Sequence, residues 1–300
     1  MGILPPLNQT EWQEAFLRYQ QFPEYQIKNF SMSLAEFKSI FWFEYGHRLL
    51  GRSIGMIFLL PFLFFLFRGK IEKSLTPKLI VMFVLGGLQG LMGWYMVKSG
   101  LVNDPHVSQY RLTAHLGLAV IIYTYMLWIA LELLHPKIND ASNSANHKLK
   151  RLSTIIIGMI FITIMSGGFV AGTRAGFAFN TFPLMDGRLI PNGLLELSPL
   201  WKNFFENIVT VQFDHRALAT LLFIIIPIFW FKVGKVSTGS GLQTLVRLGS
   251  HLLLAALALQ ITLGISTLLL VVPVVLAATH QAGAILLLTT AIFVSQQLHR

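Results

Sequence analysis

Seven stretches of this 300-residue chain are apolar over 17 or more residues: approximately 49–67, 79–97, 112–134, 153–173, 216–232, 247–272 and 275–297. A helix needs about 20 apolar residues to cross a bilayer. The chain is 54% hydrophobic and 12% charged, with a mean hydropathy of +0.63, whereas a water-soluble domain carries roughly a quarter charged residues. Membrane-spanning strands would read as short alternating segments. The expected fold class is therefore an all-α integral membrane protein with seven transmembrane helices. The chain has no cysteine, which excludes disulfides, thiolate metal sites and iron–sulfur clusters. Residues 1–40 are polar and aromatic without an apolar core, so no cleavable signal peptide is expected.

The loops predict an orientation. Segments 68–78 (RGKIEKSLTPK), 135–151 (HPKINDASNSANHKLKR) and 231–247 (FKVGKVSTGSGLQTLVR) are basic, while 98–111 and 174–214 mix signs. The positive-inside rule puts the first group in the cytoplasm, or in the matrix of a mitochondrion, and the second outside. These loops account for most of the net charge of +10, so no nucleic-acid partner is expected; the partner is membrane lipid. Residues 1–46 then also lie outside, although no helix precedes them.

An internal repeat bears on that oddity. GILPPLN (2–8), His47, LQGLMGW (88–94) and TAHLG (113–117) recur in order as GRLIPN (187–192), His215, LQITLGI (259–265) and ATHQAG (278–283). His47 and His115 are 68 residues apart; His215 and His280 are 65 apart. Two repeat-related bundles are expected: an N-terminal half over 1–134, a linker over 135–152 and a C-terminal half over 153–300. The second half has a helix before GRLIPN, ending in SGGFVAGTRAG (166–176), and the first half has no counterpart. Repeat and topology together predict one further helix ahead of residue 2.

Four of the nine histidines occupy equivalent repeat positions, each at the outer, N-terminal end of an inward-running helix: His47, His115, His215 and His280. The other five, His106, His135, His147, His251 and His299, read as loop or interfacial side chains. Ionisable groups within a membrane bundle mark functional sites. Neutral imidazole ligates iron, zinc or copper, and paired histidines from facing helices without cysteine suit bis-imidazole haem. Gly46, Gly117, Gly283 and Ala282 beside the histidines, and Gly90, Gly93 and Gly264 between them, would let a flat ring approach, or serve ordinary helix packing. Arg48 and Arg216 follow the leading histidines, with Arg52 one turn beyond. They are candidate propionate contacts, in competition with interfacial snorkelling.

The halves differ at one position. Glu44 lies three residues before His47, on the same helix face; the corresponding position before His215 is Gln212. A carboxylate in only one copy predicts a division of labour, with an acid–base group in the N-terminal site. An ion pair with Arg48 at i, i+4 is a compatible reading. A bis-histidine cytochrome that only transfers electrons, and a repeat-built transporter, remain as alternatives. The clustering of polar residues at the outer rim disfavours the transporter.

The motifs FWFEYGHRLLGR, LQGLMGWYMVKSGL, RLTAHLG, GGFVAGTRAGFAFNTFPLMDG, FDHRALA and THQAGA together resemble the heme A synthase family in its cysteine-free proteobacterial and mitochondrial form, over residues 2 to 297. The resemblance implies a four-plus-four helix plan and oxidation of the C8 methyl of heme O to the formyl group of heme A for terminal oxidases. It implies a resident heme b on His215 and His280, the substrate haem on His47 and His115, and Glu44 as catalytic carboxylate. It further implies an external electron acceptor, a heme O synthase and oxidase assembly factors as partners, and the bacterial inner membrane (or the mitochondrial one) as location, with the haem sites near the outer face. The family's first helix, with its glycine–arginine motif, has no match here. A chain without it could alternatively bind haem and be inactive.

Overall fold

The computed structural model describes residues 4–100, 107–135, 147–235 and 241–300. His106, Asp104 and much of the basic segments 135–151 and 231–247 lie outside the described residues. Among those described, ten α-helices occur and no named strand: α1 (Gln9–Tyr19), α2 (Pro23–Lys28), α3 (Leu34–Phe67), α4 (Thr76–Gly100), α5 (Gln109–Leu134), α6 (His147–Thr173), α7 (Asn203–Glu206), α8 (Ile208–Gly234), α9 (Gly241–Leu269) and α10 (Val274–His299). Seven of them, α3–α6 and α8–α10, are long and apolar enough to cross a membrane. The protein is an all-α membrane protein, as the apolar runs predict.

The helices that bear His47 and His215 begin well before their apolar runs. Helix α3 starts at Leu34 rather than near 49 because Ser33 and Glu36 form a capping box: the Glu36 carboxylate accepts from Ser33 N–H at 2.8 Å and Ser33 Oγ from Glu36 N–H at 3.4 Å. Hydropathy marks where lipid begins; the cap marks where the helix begins. The added turns are held by an aromatic cluster in which Trp12 and Tyr19 of α1 pack on Phe37 and Phe41 of α3. The Trp12 and Phe41 rings meet edge-on at 4.9 Å. Helix α8 starts at Ile208 because Asn207 Oδ1 accepts from the N–H groups of Val209 and Thr210 at 2.9 and 3.2 Å. Helix α9 stops at Leu269, short of the apolar run's end. Val271 and Val272 both take left-handed backbone (φ 60° and 56°) in the turn before Pro273, a conformation that β-branched residues rarely adopt.

The chain divides into two compact units, Met1–Leu118 and Ala119–Arg300. The division falls inside α5 rather than in the loop after it. The second half of α5 is tied to α10: Tyr123 Oη and Thr289 Oγ1 are 2.6 Å apart, and Gln296 Nε2 donates to the Leu131 carbonyl at 3.4 Å.

In the second unit α6, α8, α9 and α10 close a ring: α6 packs on α8, α8 on α9, α9 on α10 and α10 on α6. Helix α10 lies deepest, with Leu287, Leu288, Ala291, Ile292 and Val294 buried. Gly249 permits the close approach of α9, since a methyl there would lie 2.5 Å from Val294 Cγ2. Several polar groups in this unit are paired away from lipid: Ser153 Oγ donates to Ser295 Oγ at 3.0 Å and Gln297 to Gln296 Oε1 at 2.7 Å.

The segment between α6 and α8 is irregular and pinned by asparagines. Asn203 is fully buried and bonds the Leu197 N–H and the Leu197 and Leu200 carbonyls at 2.8–3.0 Å. Asn207 Nδ2 reaches the Gly193 carbonyl at 2.8 Å. Asn180 Nδ2 bridges the carbonyls of Gly176 and Leu268, both at 2.9 Å. Replacing Asn207 with Ala removes both the helix cap and the loop tie. It should cost about 1–2 kcal/mol and lower the midpoint of thermal unfolding in detergent, followed by tryptophan fluorescence; an unchanged midpoint would contradict this role.

Candidate functional site

In the four-helix ring, α8 and α10 are diagonal to one another, as are α6 and α9. The first diagonal carries the histidines. His215 on α8 and His280 on α10 face each other with ring centroids 6.5 Å apart and planes at 87°. The second diagonal carries glycines that flank them. A methyl added to Gly167 on α6 would lie 3.3 Å from His215 Cε1, and one on Gly264 of α9 would lie 2.8 Å from His280 Cε1. Each imidazole therefore lies close to a helix backbone, tightly at Gly167 and with no room for a methyl at Gly264 unless the ring shifts.

The spacing fits a shared metal. Two metal–imidazole bonds of about 2.0–2.1 Å put the nitrogens about 4 Å apart and the ring centroids roughly 6.3 Å apart. The protonation pattern fits as well. Ser166 Oγ spends its only proton on the Thr163 carbonyl at 2.8 Å, so at 2.8 Å from His215 Nδ1 it accepts. The ring proton of His215 sits on Nδ1, and Nε2 keeps its lone pair, the arrangement found in metal-ligating histidines. His280 Nδ1 is buried without a hydrogen-bond partner. Two neutral imidazoles of this kind fit the axial positions of a haem.

Arg216, one residue after His215, is turned to the loop. Its two terminal nitrogens donate to the carbonyls of Thr181 and Phe179 at 2.9 and 2.7 Å, and Gln212 Nε2 also donates to Phe179 O at 3.0 Å. Arg216 Nε is buried and unpartnered, and its N–H remains for another acceptor such as a propionate oxygen.

In the first unit, Glu44, His47 and Arg48 lie on α3 and His115 on α5. The Glu44 carboxylate and Arg48 guanidinium form an ion pair at 3.2 Å, both side chains about one-third exposed. Gln212, the counterpart of Glu44, is 2% exposed. His47 is exposed, as is Arg52. His115 is partly buried beside α4: a methyl on Gly93 would lie 3.0 Å from its Cε1. Gly93 and Gly264 thus do the same work at equivalent positions. Gly46 and Gly90 do not share it, since a methyl on either meets nothing within 4 Å.

Sequence reasoning passed over Ser166, Gly167 and the glutamines Gln89 and Gln260. The glutamines were visible as the shared LQ of LQGLMGW and LQITLGI; Ser166 stands directly before the GGFVAG run. Of the other histidines, His251 accepts from Trp230 Nε1–H at 2.9 Å, and His299 Nδ1 lies 2.7 Å from the Ser295 carbonyl. Both have local partners, as expected for helix-end side chains.

The family model described as cytochrome oxidase assembly protein matches residues 1–292. The heme A synthase of Nitrosospira multiformis is 57% identical over 300 residues, covering 100% of this chain and 83% of that protein. The chain belongs to the heme A synthase family of cytochrome oxidase assembly proteins. The heme A synthase of Nitrosomonas eutropha is 52% identical, covering 99% of this chain and 83% of that protein. That of Parvibaculum lavamentivorans is 45% identical over 292 residues, covering 97% and 81% respectively. All four histidines and Glu44 of this heme A synthase family member lie within the matched residues.

The glycine contacts generate a prediction. Gly264→Ala should lower haem per chain, read by pyridine haemochrome assay, because the methyl displaces the His280 ring. Gly90→Ala, which meets open space, should leave haem content unchanged. Equal content in both variants would contradict the contact argument.

Proposed function

We propose that this protein converts heme O to heme A, oxidising the C8 methyl to a formyl group, with heme b as resident cofactor. The reading is carried by one asymmetry. His215 and His280 form a pair spaced for a single iron, with a buried amide, Gln212, at the position where the N-terminal half carries the carboxylate Glu44. A protein that only relayed electrons between two haems would gain nothing from a carboxylate in one copy. The relatives named heme A synthase support the substrate class.

In this reading His215 and His280 hold heme b, and its chemistry when bound is the transfer of single electrons. Ser166 fixes the ligating tautomer of His215. Arg216 and Gln212 clamp the loop at Phe179 and Thr181 over the outer end of the bundle and limit water there. His47 and His115 hold heme O. Glu44 takes up protons released at the methyl carbon, and its ion pair with Arg48 orients it.

The conversion is a four-electron oxidation. Written with water as oxygen donor, methyl plus water gives the alcohol, releasing two electrons and two protons. Alcohol plus water gives the hydrated aldehyde with the same release, and loss of water leaves the formyl group. The electrons leave to an external acceptor. The seven apolar helices and bacterial relatives support the bacterial inner membrane as location, with both histidine pairs toward the outer face. A heme O synthase as supplier and oxidase assembly factors as recipients follow from the same reading.

Glu44→Ala should bind haem normally and lower heme A formation at least about a hundredfold, the lower range of acid–base contributions. Full activity in that variant would remove Glu44 from the mechanism. His215→Ala or His280→Ala should lose heme b from the purified protein; unchanged heme b would sink the ligand assignment.

A further inference from the structure

We infer that Gln89 is a positioning residue that competes with haem iron for His115 and makes ligation in the N-terminal half exchangeable. The inference rests on the proposed reading of that half as the substrate site.

The Gln89 side chain lies on α4 one turn before Gly93, against the His115 ring. Its amide nitrogen is 3.2 Å from the His115 main-chain carbonyl and 3.4 Å from His115 Nε2. A carbonyl oxygen only accepts, so the group facing it is the NH2. An amide NH2 only donates, so His115 Nε2 meets it with its lone pair. The proton of His115 is then on Nδ1, which is buried without a partner. Nε2 is also the nitrogen left for iron in His215, whose Nδ1 is engaged by Ser166. Gln89 therefore occupies the lone pair through which His115 would bind a substrate haem.

The repeat-equivalent Gln260 does not do this. It too stands one turn before a glycine that carries a histidine, Gly264 beneath His280. Its Oε1 lies over Gly283, where even a methyl would collide with it. Among the described residues its side chain makes no hydrogen bond to His280, and its Oε1 is unpartnered. The residue three after His115, equivalent to Gly283, is Leu118. Gln260 Oε1 thus turns to a glycine, whereas the matching position beside His115 is a leucine.

This difference matches the two duties. A resident cofactor gains from histidines with no competing donor. A substrate must arrive and its product must leave, and leaving exposes a lone pair in a low-dielectric site. A waiting N–H satisfies that lone pair and stabilises the vacated state, so release costs less.

The test uses the full chain in detergent, loaded with heme O as probe. Release is followed as transfer to excess apomyoglobin. Gln89→Leu should release heme O about three- to tenfold more slowly than the unaltered chain, the factor one net hydrogen bond carries. Gln89→Glu should release it faster, because a carboxylate draws the ring proton to Nε2 and masks the lone pair. Gln260→Leu should leave the rate unchanged. Heme b content at the His215–His280 site reports folding in each variant. Equal or faster release from Gln89→Leu, or the same direction of change in both Gln89 variants, overturns the inference. His115→Ala separates the two levels: undiminished heme O binding there removes the substrate-site reading and Gln89 with it. Lost binding there, with an unaltered rate in Gln89→Leu, removes only the role of Gln89.

Discussion

Two imidazoles facing one another across a four-helix ring, 6.5 Å between centroids, are the constraint around which the C-terminal half is arranged. For them to meet, the helices that bear them must stand diagonally, so α8 and α10 are separated by α6 and α9. For the rings to fit, the separating helices must present backbone, so Gly167 and Gly264 lie beneath them. For one ring to offer the correct nitrogen, its other nitrogen must be engaged, so Ser166 sits at His215 with its own proton already committed. Alanine at Gly264, or a side chain at Ser166 unable to accept, would change the surroundings of a histidine from a neighbouring helix.

The outer loop belongs to the same arrangement. Arg216 and Gln212 follow and precede His215 on α8, and both spend donors on the loop carbonyls at Phe179 and Thr181. The helix that bears His215 thus also holds the loop at Phe179 and Thr181. In the N-terminal half the equivalent residues, Arg48 and Glu44, pair with each other, and the preceding segment is held instead by aromatic packing of α1 on α3. Residues at matching places in the repeated motifs thus take different polar partners.

Much of this was legible in the sequence. The seven helices follow from runs of apolar residues, and the four histidines stand out because equivalent positions recur at nearly equal spacing. The contrast of Glu44 with Gln212 needs only the register of the repeat. The helix starts were less legible, because Ser33 and Asn207 cap helices many residues ahead of lipid, where hydropathy carries no signal. That two nitrogens of Arg216 reach loop carbonyls was not legible, since nothing in the sequence brings Phe179 and Thr181 to it. The difference between Gln89 and Gln260 was hidden in a shared dipeptide. It emerges only from what each side chain meets, His115 Nε2 for Gln89 and the space over Gly283 for Gln260.

The central claim is that one half holds a haem and the other changes one. The most direct measurement is of the haems extracted from the full chain after purification from a host that makes heme O, separated by liquid chromatography and identified by mass spectrometry. The account predicts heme b together with heme A or its alcohol precursor. Heme b alone, with no haem oxidised at C8, would contradict it and leave a cytochrome that only carries electrons.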